Sequence, residues 1–255
     1  MKKDRRIGVV GVPGGIKVVW HRDLPPDAKL GTAILTRQQS KWYVVFSVEA
    51  DFAETCGSGT VGIDLGLNSL IATSDGEMVE APRHARRAQK AQRRRQRALA
   101  RCRRGSKRRL KVKARLAAGS ARIARQQRDH LHKLSRSLVS RYRGIAFEEL
   151  NMAGLKRGIL ARSVHDAAWS LLVQLVRYKA ANAGADVVLV DPRGTSQTCP
   201  ECGTIKAKTL STRVHACDCG CVLDRDVAAA KVVHERAFGL GPGRGLRCVS
   251  GRVAT

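Results

Sequence analysis

Cysteine spacing in the last quarter of the chain predicts a metal site. Five of the eight cysteines fall within 23 residues: Cys199, Cys202, Cys217, Cys219 and Cys221. The sequence Cys-Pro-Glu-Cys-Gly places two thiols in one tight loop, where both can bind a single tetrahedral zinc ion at about 2.3 Å. The second pair is Cys217 and Cys219, and Cys221 is an alternative to either of them. Four thiolates leave no open position on the ion, so the pattern predicts structural rather than catalytic Zn²⁺.

Three acidic residues stand where a carboxylate needs a cation or a hydrogen-bond donor. Asp64 lies inside the apolar segment Val-Gly-Ile-Asp-Leu-Gly, and Glu148 ends the apolar run Gly-Ile-Ala-Phe-Glu. Burying an unpaired charge in such segments is costly. Asp226 begins a predicted helix, where an acid could instead interact with the helix dipole.

Convergence of these three acids would create a site for divalent-metal chemistry. Two predicted strands and a final helix carry them, and packing of that helix across one mixed sheet would bring the carboxylates together. Oxygen ligands suit Mg²⁺ or Mn²⁺. Two such ions about 4 Å apart can activate a water and stabilise the leaving oxygen, which is what phosphodiester hydrolysis requires.

Apolar periodicity predicts the elements that must position these residues. Alternating apolar and polar residues from Met1 to about Ala50 predict short antiparallel strands, which we interpret as the remnant of a larger barrel-like domain. Two apolar runs after Thr60 predict a meander of buried strands. A helical pattern from Ser163 to Ala183 precedes the apolar strand Ala-Asp-Val-Val-Leu-Val. The sequence therefore predicts an α/β fold with a mixed sheet.

Positive charge is concentrated in one block of the chain. The net charge of the chain is +27. Most of it comes from the segment between Arg83 and Arg143, which has 24 Lys and Arg residues and one acidic residue. Its Ala, Arg, Gln and Leu content predicts two long helices that break near Gly105. Such density indicates a polyanionic partner, with nucleic acid favoured over a solvated helical face or a flexible basic arm. The candidate nucleic-acid-binding residues are Arg93, Arg94, Arg95, Arg97, Arg101, Arg103, Arg104, Lys107, Arg108, Arg109 and Arg128.

A membrane partner is not predicted. The sequence has no apolar run of about 18 residues, and we expect no signal peptide. The other three cysteines are isolated, at Cys56, Cys102 and Cys248. Clustered thiols beside isolated ones favour a reducing compartment over a disulfide framework. We therefore expect an intracellular protein.

Several stretches of the chain resemble the TnpB family, the OrfB-type proteins of insertion sequences that are related to the type V CRISPR nucleases. In the family's order they are VGIDLGLNSLIATSDG, the helices GSKRRLKVKARLA to QQRDHLHKLSRSLV, IAFEELNMAGL, TSQTCPECG and DRDVAAAKVV. The earlier stretches IKVVWHRDLP and WYVVFSVE resemble the end of the family's oligonucleotide-binding wedge.

This resemblance implies a RuvC-type nuclease of RNase H-like fold. Its catalytic triad would be Asp64, Glu148 and Asp226, with the neighbours Asp224 and Glu149 ranked second. The implied activity is cleavage of a DNA target under a transposon-encoded guide RNA, in the cytoplasm of a prokaryote and in association with the nucleoid.

The resemblance also implies a division of the chain. The expected parts are a partial wedge domain at 1–59, a RuvC-like domain at 60–196 with a basic helical insertion at 83–143, a zinc ribbon at 197–223, a final RuvC-like helix at 224–238 and a disordered tail at 239–255.

Two departures from the family pattern leave other functions open. Ala228 stands where the family usually has Asn, which removes a polar group beside the metals. Family members also generally carry a further N-terminal region, so we expect an N-terminally truncated form. The alternatives are a catalytically impaired nucleic-acid-binding remnant or guided repressor, and a DNA transposase.

Overall fold

The computed structural model describes residues 6–21, 23–24, 26–38, 41–50, 55–66, 69–150, 169–209 and 212–239. The predicted helical residues 163–168 and all of the predicted tail except Gly239 lie outside this part of the chain. The chain divides into two units, residues 1–53 and 54–255.

The first unit consists of two antiparallel β-hairpins. Their strands are β1 (Arg6–Val9) with β2 (Val12–Lys17), and β3 (Lys29–Gln38) with β4 (Lys41–Glu49). The ring of Trp20 stacks on Phe46, with centroids 5.3 Å apart. The antiparallel strands predicted for this segment are thus confirmed.

A mixed five-stranded sheet forms the centre of the second unit. Its strands are β5 (Gly59–Asp64), β6 (Ser69–Thr73), β7 (Met78–Glu80), β8 (Tyr142–Glu148) and β9 (Asp186–Val190). Their spatial order is β7-β6-β5-β8-β9. The first three pair antiparallel, whereas β8 runs parallel to both β5 and β9. The predicted α/β class with a mixed sheet is confirmed.

Helices cover the sheet because its central strands are apolar on both faces. The four helices of the described residues are α1 (His84–Ala100), α2 (Lys107–Arg141), α3 (Trp169–Ala183) and α4 (Arg225–Phe238). The second half of α2 packs with α3 in the main core, through residues such as Leu138 and Leu172. The buried ammonium of Lys179 on α3 donates to the His132 carbonyl oxygen of α2 at 2.6 Å, which satisfies part of its hydrogen-bonding capacity. None of these helices is long and apolar enough to cross a membrane.

Helices α1 and α2 form an antiparallel hairpin between β7 and β8. The Gln92 side chain donates to Ser120 Oγ at 3.1 Å, and near the turn Arg109 Nη1 donates to the Leu99 carbonyl oxygen at 2.9 Å. Ser106 caps the start of α2 by accepting from the Arg109 backbone N–H at 3.2 Å. Helix α1 has no buried residue, so its charged surface is turned to solvent.

Between β9 and α4 the chain forms a small antiparallel hairpin, β10 (Val214–Ala216) with β11 (Val222–Asp224). An isolated bridge between Thr198 and Ile205 precedes it. Such short pairings contribute little stability by themselves.

Helix α4 crosses β5 in close contact with its backbone. A β-carbon on Gly62 would lie 2.2 Å from the Ala230 carbonyl oxygen and 2.4 Å from the His234 backbone nitrogen. The His234 ring also lies 2.9 Å from Thr60 Oγ1. Only glycine allows this approach, which holds the middle of α4 against β5.

We predict that Gly62→Ala lowers the free energy of unfolding by about 1–3 kcal/mol, because the added methyl group must displace backbone atoms of α4. Urea unfolding followed by circular dichroism measures the change. Gly59→Ala on the same strand is the matched control, since its β-carbon would meet only the Tyr142 ring at 3.5 Å. Equal stability of the two variants would contradict the close packing of α4.

Candidate functional site

Two of the predicted acids lie at adjacent positions in the sheet. In the parallel pair β5 and β8, Ile63 lies opposite Phe147, so the next residues, Asp64 and Glu148, end neighbouring strands. Side chains of residues in register point to the same face of a sheet. The two carboxylates therefore occupy one face at the carboxyl ends of the central strands.

The third acid reaches the same end of the sheet from α4. Asp226 lies in the first turn of this helix. A β-carbon on Gly66, two residues beyond β5, would lie 3.3 Å from Asp226 Oδ2. The Arg225 guanidinium contacts Asp226 Oδ1 at 3.4 Å. Asp226 thus lies against the chain segment that leaves Asp64.

The carboxylates influence one another electrostatically. Burial raises the pKa of Asp64 well above its usual value, and the negative charges of Glu148 and Asp226 raise that pKa further, while Arg225 opposes the effect. Burial also raises the pKa of Glu148, whereas a hydrogen bond from Thr195 and the charge of Arg236 lower it. A divalent cation between the acids would relieve this repulsion.

The spacing of the three acids is wider than one small ion requires. Within the described part of the chain, the ligand sets whose donor atoms all lie within 4.8 Å of one another consist of cysteine and histidine. Two ions about 4 Å apart are held by a wider set of ligands. The carboxylate oxygens of Asp64, Glu148 and Asp226 do not all lie within 4.8 Å of one another.

The two second-ranked acids have other roles in the fold, although the charge of Asp224 also raises the pKa of Asp64. Asp224 Oδ1 accepts from the backbone N–H groups of Asp226 at 2.8 Å and Val227 at 3.4 Å, which makes it the N-cap of α4. The Glu149 backbone N–H donates to the Val190 carbonyl oxygen at 2.8 Å, which extends the pairing of β8 with β9. Ala228 is buried in the face of α4.

Thr195 is a residue of this site that the sequence analysis missed. Its hydroxyl donates to Glu148 Oε1, and the residue is only 3% exposed. Threonine is common in loops, and no spacing rule links position 195 to a strand 47 residues earlier. Only the folded chain reveals this contact.

Four cysteines meet in the loops around β10 and β11. The Sγ atoms of Cys199 and Cys219 lie 3.7 Å apart, and those of Cys202 and Cys217 lie 3.5 Å apart. A tetrahedral ion with metal–sulfur bonds of about 2.3 Å separates its sulfur ligands by about 3.8 Å. These four thiols could therefore hold a metal ion such as zinc.

Cys221 belongs to a different group. Its Sγ atom lies within 4.8 Å of the Cys199 Sγ and of a ring nitrogen of the buried His215. Cys221 is not part of the group of four cysteines. The geometry therefore favours Cys217 and Cys219 as the second pair. The Thr204 hydroxyl, 3.3 Å from Cys202 Sγ, is the main reason that the pKa of the Cys202 thiol falls to about 6. A lowered pKa favours the thiolate, which is the metal-binding form.

The predicted basic residues divide into three groups. A groove of about 790 Å³ along α1 is lined by Arg87, Lys90, Arg93, Arg94, Arg97 and Arg101. Outside this groove, other exposed candidates are Arg103, Arg104, Lys107, Arg108 and Arg128. By contrast, Arg95 contacts Gln92 at 3.4 Å, and Arg109 donates to the carbonyl oxygens of Leu99 and Cys102 inside the hairpin turn. These two are part of the hairpin itself.

Comparison with known families gives two matches in sequence. Residues 43–158 match the OrfB_IS605 family, described as "Probable transposase", and residues 169–233 match the Cas12f1-like TNB domain. Together they cover the sheet, the basic hairpin and the cysteine loops.

Curated relatives extend this similarity over most of the chain. A protein of Streptomyces pristinaespiralis named "Putative RNA-guided DNA endonuclease" is 37% identical over 221 residues, which are 85% of this chain and 55% of the relative. The Escherichia coli K12 protein "Putative RNA-guided DNA endonuclease InsQ" is 28% identical over 196 residues, covering 69% of this chain and 49% of that protein. The chain thus spans about half the length of these relatives.

A solved structure shares the fold. A chain of the CRISPR-Cas12f ternary complex superimposes with a TM-score of 0.53 at 16% identity, over 79% of this chain and 44% of that chain. At this identity the likeness concerns the fold alone.

We predict that protein purified without chelators carries about one equivalent of zinc per chain, because four thiolates complete a tetrahedral site. Cys202→Ser should lower the content below half an equivalent in elemental analysis. Cys102→Ser is the control, since this thiol lies at the end of α1, where its Sγ contacts the Ala98 carbonyl oxygen. A full equivalent of metal in Cys202→Ser would exclude the four-cysteine site.

Proposed function

We propose that this chain, which belongs to the TnpB family, carries the catalytic centre of an RNA-guided, divalent-metal-dependent DNA endonuclease. The proposal rests on the clustering of Asp64, Glu148 and Asp226 at one end of the sheet. There the negative charges of Glu148 and Asp226 both raise the pKa of Asp64. Clustered, partly buried carboxylates with perturbed pKa values are typical of functional sites.

The three acids would act as ligands of Mg²⁺ or Mn²⁺. Such ions, when bound, would activate a water and stabilise the leaving oxygen of a phosphodiester. The charges of Glu148 and Asp226 both raise the pKa of Asp64, so a cation bound by all three acids would favour its ionised form. Arg225 neutralises part of the charge on Asp226 and so limits the repulsion in the metal-free state.

An RNase H-like fold of RuvC type fits the order of these elements. Three antiparallel strands, β7, β6 and β5, are followed by the parallel strands β8 and β9, with α4 packed across β5. In this assignment the hairpin 83–143 and the ribbon 197–223 are insertions within a RuvC-like domain formed by 60–196 and 224–238. Residues 1–59 would be part of a wedge domain.

The cysteine cluster would hold structural Zn²⁺. All four candidate ligands are cysteines, which leaves no open position for a substrate or water. The metal would cross-link loops whose own strands are only three residues long. Its contribution would be to the folding of the segment between β9 and α4.

The partners that we propose are a DNA target and a guide RNA. The two named relatives are described as RNA-guided DNA endonucleases, and this chain matches about half of each. The basic groove along α1 provides positive charge for phosphate backbones. With DNA as the substrate, the protein would act in the cytoplasm of a prokaryote, in association with the nucleoid.

We predict that Asp64→Asn, Glu148→Gln and Asp226→Asn each reduce Mg²⁺-dependent cleavage of single-stranded DNA by at least about 100-fold, because each removes a charged ligand of the ions. The rate is measured with labelled DNA, with and without co-purified RNA.

Two neighbouring acids provide matched controls for this experiment. Glu149→Gln and Asp224→Asn should cleave within a few-fold of the original rate, and asparagine at 224 still caps α4. Cleavage that persists in all three acid variants would refute the proposed centre. A complete lack of cleavage by the unchanged protein, with DNA binding retained, would indicate a nucleic-acid-binding protein that does not cut.

We predict that the triple variant Arg94→Gln, Arg97→Gln, Arg101→Gln weakens duplex binding and lowers the log–log salt slope by about 3, since each arginine releases about one counterion. Fluorescence anisotropy across a salt series measures the slope. The free energy of unfolding should change little, because all three side chains are exposed. An unchanged slope would show that the α1 groove does not contact nucleic acid.

A further inference from the structure

The hydrogen bond from Thr195 fixes one oxygen of a candidate metal ligand. The Thr195 hydroxyl donates to Glu148 Oε1, and its Oγ1 also lies 3.0 Å from the Pro192 carbonyl oxygen. A hydroxyl has one proton, so it donates to one of these acceptors at a time, and an ionised carboxylate is a stronger acceptor than a backbone carbonyl. Glu148 Oε2 receives no hydrogen bond from the residues that the structure describes. One carboxylate oxygen is thus held while the other is available to a cation.

The turn that carries Thr195 is tied to the helix of the third acid. Arg236 of α4 donates through Nη1 to the carbonyl oxygens of Asp191 at 2.7 Å and Arg193 at 2.9 Å. Gly194 follows with a φ of 73°, a left-handed conformation that glycine adopts readily. The same helix therefore positions Asp226 at its start and Thr195 near its end.

The other end of this turn leads into the cysteine loops. Thr198 donates from its backbone N–H to the Gly194 carbonyl oxygen at 2.9 Å, and the Cys199 N–H donates to Thr204 at 2.9 Å. Lys206 closes the loop by donating its N–H to the Gln197 carbonyl oxygen at 3.0 Å. The backbone around Thr195 is thus continuous with the loop of the first cysteine pair.

We propose that Thr195 is a positioning residue that orients Glu148 for metal binding at the three-acid site. The inference rests on the proposed function, because it assigns Glu148 as a metal ligand. Thr195 itself does not contact the ion or the DNA in this scheme. Its hydroxyl selects the carboxylate orientation that leaves Oε2 available to a cation, and its buried turn keeps that orientation in the metal-free state.

Mn²⁺ binding to the zinc-loaded full chain tests this inference without requiring cleavage. Thr195→Val keeps the shape of the side chain and removes the hydroxyl, and Thr195→Ser keeps the hydroxyl. We expect Thr195→Val to raise the Kd for Mn²⁺, measured by electron paramagnetic resonance, by about 10-fold, as loss of an outer-shell partner of a metal ligand does. Thr195→Ser should remain within about 3-fold of the unchanged chain.

A second threonine in the same turn separates positioning from general stability. The Thr198 hydroxyl donates to the Gly194 carbonyl oxygen at 2.8 Å and has no contact with Glu148. Thr198→Val should therefore lower the Tm without changing the Mn²⁺ affinity. An equal loss of affinity in Thr195→Val and Thr198→Val, or no loss in Thr195→Val, would overturn the inference.

The acid variants distinguish failure of this inference from failure of the proposed function. Glu148→Gln and Asp64→Asn should abolish the Mn²⁺ signal of the site. If both variants bind Mn²⁺ as the unchanged chain does, the three-acid site and the Thr195 inference are both wrong. If they lose binding while Thr195→Val retains it, only the role of Thr195 is wrong.

Discussion

Repulsion among carboxylates at the buried end of β5 is the constraint on which the rest of the structure depends. Asp64 is influenced by Glu148 and Asp226 in an environment that already disfavours its charge. A fold retains such a cluster only if other groups compensate it. Arg225 and Arg236 provide part of the compensation, each by lowering the pKa of a different acid. A pair of divalent ions would neutralise the negative charge that these arginines leave uncompensated.

Much of this arrangement could be predicted from the sequence, because apolar runs reveal where a charge must be buried. Asp64 and Glu148 interrupt or end runs that are too hydrophobic for a surface strand, and the structure places both on neighbouring strands of the mixed sheet. The cysteines were also recognisable, since metal-binding loops require closely spaced thiols. The basic segment was predicted as two helices from its composition, and it forms α1 and α2.

Features that depend on tertiary contacts could not be predicted. The choice among Cys217, Cys219 and Cys221 depends on the turn of the loop, because the three are closely spaced and only the fold directs Cys221 toward His215. Arg95 and Arg109 have the same composition signal as their neighbours, yet their contacts lie within the helical hairpin. No sequence pattern singles out Thr195, because its contact is with Glu148, on a strand that is distant in the sequence.

The order of the elements along the chain has a consequence for synthesis. Two acids are on strands made early, whereas Asp226 is on α4, which also holds the turn of Thr195 through Arg236. A ribosome-bound chain that lacks α4 has neither the third carboxylate nor the helix that packs at Gly62. An unfinished polypeptide therefore cannot assemble the three-acid site until α4 has been made and has packed against β5.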